Sequence, residues 1–262
     1  MKQYNRIISI TVLMLISVVI ISSTGCNLLA DSDNDEVTLT IGAASDLYYA
    51  FNEAGEVFED NHNIKLDFSF GSTGLIHQQV SEGAPMDLYA AADEKHVYDL
   101  IEEGLVNEED HALYATGLIV IATPEGDIKT IEELTKEEVE LVSIANPEHA
   151  PYGRAAKQAI ESEGLWEELE PKLVIGSNIR DAQRYLERGE VDASILALSL
   201  VEGVEQDKEY HLIDDELHEP LNQRMAVINT SMHIDESRKF LEFITESEEG
   251  RNIMESYGFL LP

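Results

Sequence analysis

The stretch Ile144-Ala145-Asn146-Pro147-Glu148-His149-Ala150-Pro151-Tyr152-Gly153-Arg154-Ala155-Ala156 joins a β-type run to an alanine-rich helix that begins near Tyr152. Turn residues separate the two. A helix that starts at the end of a strand aims its unpaired backbone N–H groups at one spot, which makes that spot a seat for an anion. The same strand, small-residue turn and helix recur at Ala43-Ala44-Ser45-Asp46, at Phe70-Gly71-Ser72-Thr73-Gly74 and at Gly176-Ser177-Asn178-Ile179. Four such N-termini turned toward one cleft predict a receptor for a small oxyanion.

Working outward, the pattern continues in both directions. Residues 37–41, 65–70 and 88–92 read as strands. Residues 47–59, 75–81 and 94–103 read as helices, the first with Leu47, Ala50, Phe51, Ala54 and Phe58 on one face. Gly104 stops the third helix. A second run follows, with strands at 118–122, 141–145, 173–175 and 193–196 and helices at 153–162 and 179–188. Residues 223–228 form one more strand, and 235–245 and 248–257 form closing helices. Alternation of strands with helices predicts an α/β fold with parallel strands. There are two such units, with crossings near Ala115-Thr116-Gly117 and Leu221-Asn222-Gln223, and the C-terminus returns to the first unit.

The N-terminus reads as an export signal. Lys2 and Arg6 precede an almost wholly apolar run over residues 7–21, and Ser23-Thr24-Gly25-Cys26 follows. The run is short for a membrane span. Cys26 is the single cysteine, so an internal disulfide is excluded. The segment resembles a bacterial lipoprotein signal, with Ser23 where leucine is usual. That resemblance implies cleavage before Cys26, lipid on that cysteine and an anchored, extracytoplasmic protein. Residues 27–36 read as an acidic tether.

About 225 residues remain from residue 37 onward, enough for one large domain or two lobes with real cores. The formal charge is −35. Loss of the signal removes Lys2 and Arg6 and no acid, so the mature chain is more acidic still. Nucleic acid is excluded as a partner, because phosphate backbones need basic patches. Runs such as Glu132-Glu133 and Glu137-Glu138 read as solvated faces, and the overall excess fits life in high salt. Such a field repels anions at long range, so attraction to an oxyanion must come from close, oriented dipoles.

Each motif has a plainer reading beside the functional one. Ser45 can serve as a plain helix cap, with Asp46 favoured in the first turn by the dipole. As a ligand seat, the Ser45 hydroxyl and the Asp46 N–H face the cleft and the Asp46 carboxylate turns away. Gly71-Ser72-Thr73-Gly74 has the glycines and hydroxyls of a phosphate cradle but no lysine, so it is no nucleotide loop. Tyr152 is either surface filler or a hydroxyl donor, and Ile179 offers only its N–H and apolar contact. His77, His96, His111, His149, His211, His218 and His233 show no metal-type pairing. His149-Ala150-Pro151 reads as loop structure, and Asp87 and Asp93 as caps beside a strand. No nucleophile elbow or other catalytic constellation is present, so no enzyme is expected.

These residues taken in order resemble the molybdate-binding proteins of ABC importers over nearly all of residues 37–262. The resemblance is carried by Ala43-Ala44-Ser45, by Phe70-Gly71-Ser72-Thr73-Gly74 and by Glu82-Gly83-Ala84-Pro85 with Ala91-Ala92-Asp93-Glu94-Lys95. It continues through Asn146-Pro147-Glu148-His149 and Gly164-Leu165-Trp166 to Tyr257-Gly258-Phe259. It implies a two-lobed periplasmic-binding fold of type II, each lobe a mainly parallel sheet flanked by helices, with ligand in the cleft between them. The implied division is a signal at 1–25, a tether at 26–36, a first lobe at 37–116, a second at 117–222 and a return to the first at 223–262. The implied ligand is molybdate or tungstate, held through its oxygens by Ser45, Asp46, Thr73, Tyr152 and Ile179 without a counter-charge or a cofactor. Many members carry a ligand-contacting tyrosine where this chain has Ala197. A branch of the family reads Ala-Leu there with Ala-Pro-Tyr-Gly upstream, and this chain has Ala197-Leu198 and Ala150-Pro151-Tyr152-Gly153. Tyr152 is then expected to supply the missing hydroxyl. The implied partners are an importer permease with its ATPase, and the protein is expected to be a monomer.

The competing readings are a receptor for phosphate or sulfate, a lipid-anchored enzyme on the same frame, and an adhesion or sensor lipoprotein. Molybdate and tungstate are deprotonated near neutral pH and offer acceptors only, so a donor-only site suits them. Protonated phosphate rewards an acceptor as well, and Asp46 is the nearby candidate.

Overall fold

The computed structural model describes residues 36–124, 127–204 and 209–262. The export signal, Cys26 and nearly all of the tether lie outside the described residues.

The apolar runs become the centres of two five-stranded sheets, each flanked by helices. In the first, β1 (Val37–Ala44) lies between β2 (Ile64–Gly71) and β3 (Leu88–Ala91), parallel to both. A strand paired on both edges and covered on both faces has no polar side, which is why its second half is wholly apolar or small and wholly buried. β10 (Leu221–Val227) and β4 (His111–Gly117) complete the order β2-β1-β3-β10-β4. The second sheet runs β7 (Leu173–Gly176), β6 (Val142–Ala145), β8 (Ala193–Ala197), β5 (Ile119–Ala122) and β9 (Tyr210–Leu212). The chain leaves the first sheet between β4 and β5 and re-enters it at β10.

The pairing is mixed where the sequence predicts it mainly parallel. β10 is antiparallel to β3 and β4, and β5 is antiparallel to β8 and β9. The antiparallel strands are those beside the crossings, and alternation of strands with helices carries no information about them. β4 and β9 were not legible as strands. β4 is an edge strand that mixes Leu113 and Tyr114 with small and polar residues, and β9 has only three residues.

Helix α1 (Tyr48–Asn61) buries Ala50, Phe51, Ala54 and Phe58, the face its spacing predicts. It follows a single 3₁₀ turn, Ser45–Leu47. Phe51 and Phe58 meet Phe240 edge-on, at 5.7 and 5.2 Å between ring centres. Phe240 belongs to α8 (Ile234–Glu246), so the C-terminal segment packs on the first lobe, and α9 (Glu248–Ser256) follows it there. The remaining helices of the first lobe are α2 (Thr73–Ser81) and α3 (Lys95–Glu102). Those of the second are α4 (Pro151–Ser162), α5 (Trp166–Leu169), α6 (Ile179–Glu187) and α7 (Leu198–Glu202). No helix among the described residues is long and apolar enough to cross a membrane.

Candidate functional site

The four strand–helix turns converge. β1 delivers Ser45 and Asp46, β2 delivers Ser72 and Thr73, the turn after β6 delivers Ala150 to Tyr152, and the turn after β7 delivers Ile179. Together with Ala92 they line one small, tight cavity between the lobes. Ser45, Asp46, Thr73, Tyr152 and Ile179 are all buried. No Lys, Arg or His lines the cavity.

The donors are available for physical reasons. Ser45 does not cap its turn; its hydroxyl is buried and has no partner within the protein. The Thr73 Oγ1 accepts the Ala92 N–H at 3.1 Å, which leaves the hydroxyl proton to be given away. The Thr73 carbonyl accepts the buried Tyr89 hydroxyl at 2.9 Å, fixing this corner. In α4, Pro151 occupies the first turn, where its missing N–H is no loss. The next amides, of Tyr152 and Gly153, have no carbonyl one turn back within the helix. In α6 the Asn178 side chain caps the Asp181 N–H at 3.0 Å, so the Ile179 amide ahead of it is left uncapped.

Asp46 departs from the simplest form of this seat. Its carboxylate is buried, with Oδ2 accepting Gln223 Nε2 at 2.8 Å and Oδ1 without a partner. Burial pushes its pKa up to about 6, against the bonds from Gln223 and Tyr152, which pull it down. Gln223 Nε2 also donates to the Tyr152 hydroxyl at 2.9 Å, and Gln223 Oε1 accepts from Tyr114 at 2.7 Å. Burial, then the Asp46 charge, holds the Tyr152 phenol well above its ordinary value. The Tyr152 hydroxyl therefore sits in a network with Gln223 and Asp46, accepting from Gln223 and keeping its own proton to donate, and its first-turn backbone N–H is a second donor. Gly117 makes room for this arrangement. A Cβ there would lie 2.1 Å from the Tyr152 hydroxyl.

The cleft is shut over the cavity. The Ser72 hydroxyl donates to the His149 carbonyl at 2.7 Å, and the Gly74 N–H donates to the same carbonyl at 2.9 Å. The Ser72 proton is thus spent, so His149 Nδ1, 2.7 Å away, is the donor in their second contact. His149 is a loop contact, as its sequence context predicts. Ser199 on α7 donates its hydroxyl to the Asp46 carbonyl at 2.8 Å. Asp87 accepts the Thr40 N–H at 2.8 Å, and Asp93 accepts the His96 N–H at 3.2 Å, so both bond backbone beside β3.

Gln223, Tyr114 and Arg154 were missed in the sequence. Gln223 had a signal: it is the polar residue on the buried, otherwise apolar face of its strand, between Leu221 and Met225. Tyr114 had none, because it reaches Gln223 through a register irregularity opposite Gln223/Arg224. Larger hollows exist, such as one lined by Ile121, Lys129, Ile131, Leu212 and Leu217. Its wall also carries Glu132, Glu163 and Asp214, whose carboxylates disfavour an anion. Among the described residues no group of three or more His, Cys, Asp or Glu side chains is placed to hold a metal ion.

Similarity to known proteins runs over the same residues. A putative ABC transporter substrate-binding lipoprotein of Bacillus subtilis is 27% identical over 96% of this chain and 97% of its own. The molybdate-binding protein of Rhodobacter capsulatus is 28% identical over 79% of this chain and 82% of its own. Among solved structures, the periplasmic molybdate-binding protein of Azotobacter vinelandii superposes with a TM-score of 0.80 at 21% identity, covering 86% of this chain and 99% of that one. The substrate-binding domain of a putative molybdenum ABC transporter from Clostridium difficile superposes at 0.65 with 27% identity, covering 86% and 99%. Residues 39–260 match the bacterial extracellular solute-binding protein family, and the chain belongs to that family.

Proposed function

We propose that this protein captures molybdate or tungstate outside the cytoplasm and delivers it to the permease and ATPase of an ABC importer. The observation that carries the reading is the cavity between the lobes: the unpartnered Ser45 hydroxyl, the Thr73 hydroxyl with its proton free and first-turn amides converge on it, and no cationic side chain lines it. A dianion that only accepts hydrogen bonds suits a wall that chiefly donates them. The contacts are the Ser45 and Thr73 hydroxyls and the backbone amides of Asp46, Tyr152 and Ile179. Relatives named as molybdate-binding proteins and as a substrate-binding lipoprotein support the same reading. Residues 1–25 are the export signal, and lipid on Cys26 holds the mature protein at the membrane. Residues 37–116 and 223–262 make one lobe and 117–222 the other.

One observation favours a second reading. The Asp46 carboxylate has an oxygen without a partner beside the cavity. A protonated oxyanion such as phosphate would donate to it, as molybdate does not. Calorimetric titration with molybdate, tungstate, sulfate and phosphate decides between them. Tight binding of the first two and weak binding of the others is expected. Preference for phosphate, lost in Asp46→Asn, would replace the first reading with the second.

A further inference from the structure

Two arginines reach across the cleft, and each sits beside a residue that lines the cavity. Arg154 lies in the first turn of α4, two residues after Tyr152. Its Nη2 is 2.7 Å from Asp93 Oδ2 in the opposite lobe. Asp93 is held ready for it. His96 Nδ1 lies 2.7 Å and the His96 N–H 3.2 Å from its other oxygen. Burial alone would raise the Asp93 pKa, but the bonds from His96 and Arg154 win and hold it at about 2. Arg180 follows Ile179 at the start of α6. Its guanidinium stands 5.0 and 5.1 Å from the ring centres of Tyr48 and Tyr49, at the start of α1 in the opposite lobe. Gln183 Oε1 at 2.6 Å and Glu187 Oε1 at 3.2 Å orient it there.

The two contacts bracket the cavity. One joins the end of β3 to the helix after β6, and the other joins the end of β1 to the helix after β7. Both arginines lie outside the cavity wall, so neither neutralises a bound anion. Each is fixed to the very helix turn whose amide faces the cavity. Closing the cleft therefore seats the amides and engages the arginines in one movement. Opening must break both arginine contacts before those amides leave the ligand. In a chain of formal charge −35, bringing two lobes together also works against self-repulsion, which cationic contacts across the gap offset.

Resting on the reading of the site as an oxyanion receptor, we infer that Arg154 and Arg180 are positioning residues that hold the cleft shut and so set the rate at which the oxyanion is released. Arg154 acts as half of an ion pair with a preformed carboxylate. Arg180 acts as a planar cation stacked on a tyrosine pair, a role lysine fills poorly.

Stopped-flow binding of molybdate to the mature protein separates release from capture. Arg154→Gln and Arg180→Gln are each expected to speed dissociation about tenfold, the effect of losing one partly buried charged contact. Association should change less than about twofold, because encounter precedes closure. Arg154→Lys should restore slow release and Arg180→Lys should not. In the cycle of Arg154→Gln with Asp93→Asn, the double variant should release no faster than the faster single variant. A merely structural role would lower the melting temperature of the unliganded protein and leave this rate pattern absent. Unchanged dissociation in both glutamine variants, or fully additive effects in the cycle, overturns the inference while the functional reading stands. Wild-type protein that binds none of molybdate, tungstate, sulfate and phosphate overturns both.

Discussion

Replacing Asp46 with asparagine should make this protein more stable at neutral pH, though it removes a charge from a hydrogen-bonded network. Asp46 is 1% exposed, and its pKa rises from 3.8 to about 6 in the folded chain. The folded state therefore binds the Asp46 proton more tightly than the unfolded state does. Ionising Asp46 costs the fold nothing below pH 3.8, costs progressively more as pH climbs to about 6, and costs its full amount above that. Each pKa unit corresponds to about 1.4 kcal/mol, so the full cost is on the order of 3 kcal/mol. Asparagine cannot ionise and escapes it. Its amide oxygen still accepts from Gln223, and its NH₂ takes the place of the carboxylate oxygen that has no partner. Urea unfolding of ligand-free wild type and Asp46→Asn across pH 4 to 8 measures the difference. The two should be nearly equal at pH 4, with the variant ahead by roughly 2–3 kcal/mol at pH 7, the size of the linkage term. A gap that does not widen between pH 4 and 7, or a variant less stable at pH 7, would show that the network favours the ionised carboxylate and would refute the reasoning.

Other expectations bear on the ligand. Thr73→Val keeps the shape of the side chain and removes its proton, so molybdate affinity should fall by roughly 1–3 kcal/mol in calorimetry. Unchanged affinity would take Thr73 out of the site. Gly74→Ala places a Cβ 2.9 Å from the His149 carbonyl oxygen, a contact made across the cleft and with backbone that has little freedom to yield. Small-angle scattering of that variant at saturating molybdate should stay extended where the wild type compacts, and equal compaction would contradict a closure that brings these backbones together. The association rate should rise with ionic strength as the Debye length shrinks from about 30 Å to about 8 Å, because screening lifts a repulsive field. A rate that falls with salt would reveal a local positive funnel at the mouth of the cleft.

The sequence made legible whatever local chemistry specifies. The strand–turn–helix joints at Ser45, Thr73, Tyr152 and Ile179 are visible because small turn residues, strand runs and helix starts are all local, and the structure brings those four joints to one cavity. The face of α1 is visible because its period is that of a helix. What stayed hidden is what depends on pairing between distant segments. The direction of β10 is set by where the return crossing enters the sheet, and no property of Leu221–Val227 encodes it. The Tyr152 hydroxyl was legible as a donor, but the network around it was not. Gln223, 71 residues away, donates to its oxygen, and a glycine at 117 leaves space. The Asp46 carboxylate was expected to turn from the cleft, and nothing local could tell that an oxygen would remain unpartnered.

The acidic surface and the donor-lined cavity answer different questions about the same event. Fields from surface charge act over a Debye length, about 8 Å at physiological salt. Helix-terminal amides act only over the first turn. An oxyanion approaching this protein is therefore slowed by the first and is held by the second only on contact. A receptor built this way gains affinity through slow release, because fast capture works against its own charge. Slow release requires that the amides stay in place, and here they belong to helices of two separate lobes. The contacts that keep those lobes together, Ser72 and Gly74 on His149, Gln223 between Asp46 and Tyr152, and the two arginines, are then as much a part of the binding free energy as the groups that touch the anion. Leaving any cavity donor without its acceptor costs about 1–3 kcal/mol, so an anion too small to reach all of them gains little from closure. Selectivity among oxyanions thereby becomes a property of the shut cleft, and an open lobe carrying the same hydroxyls would discriminate poorly.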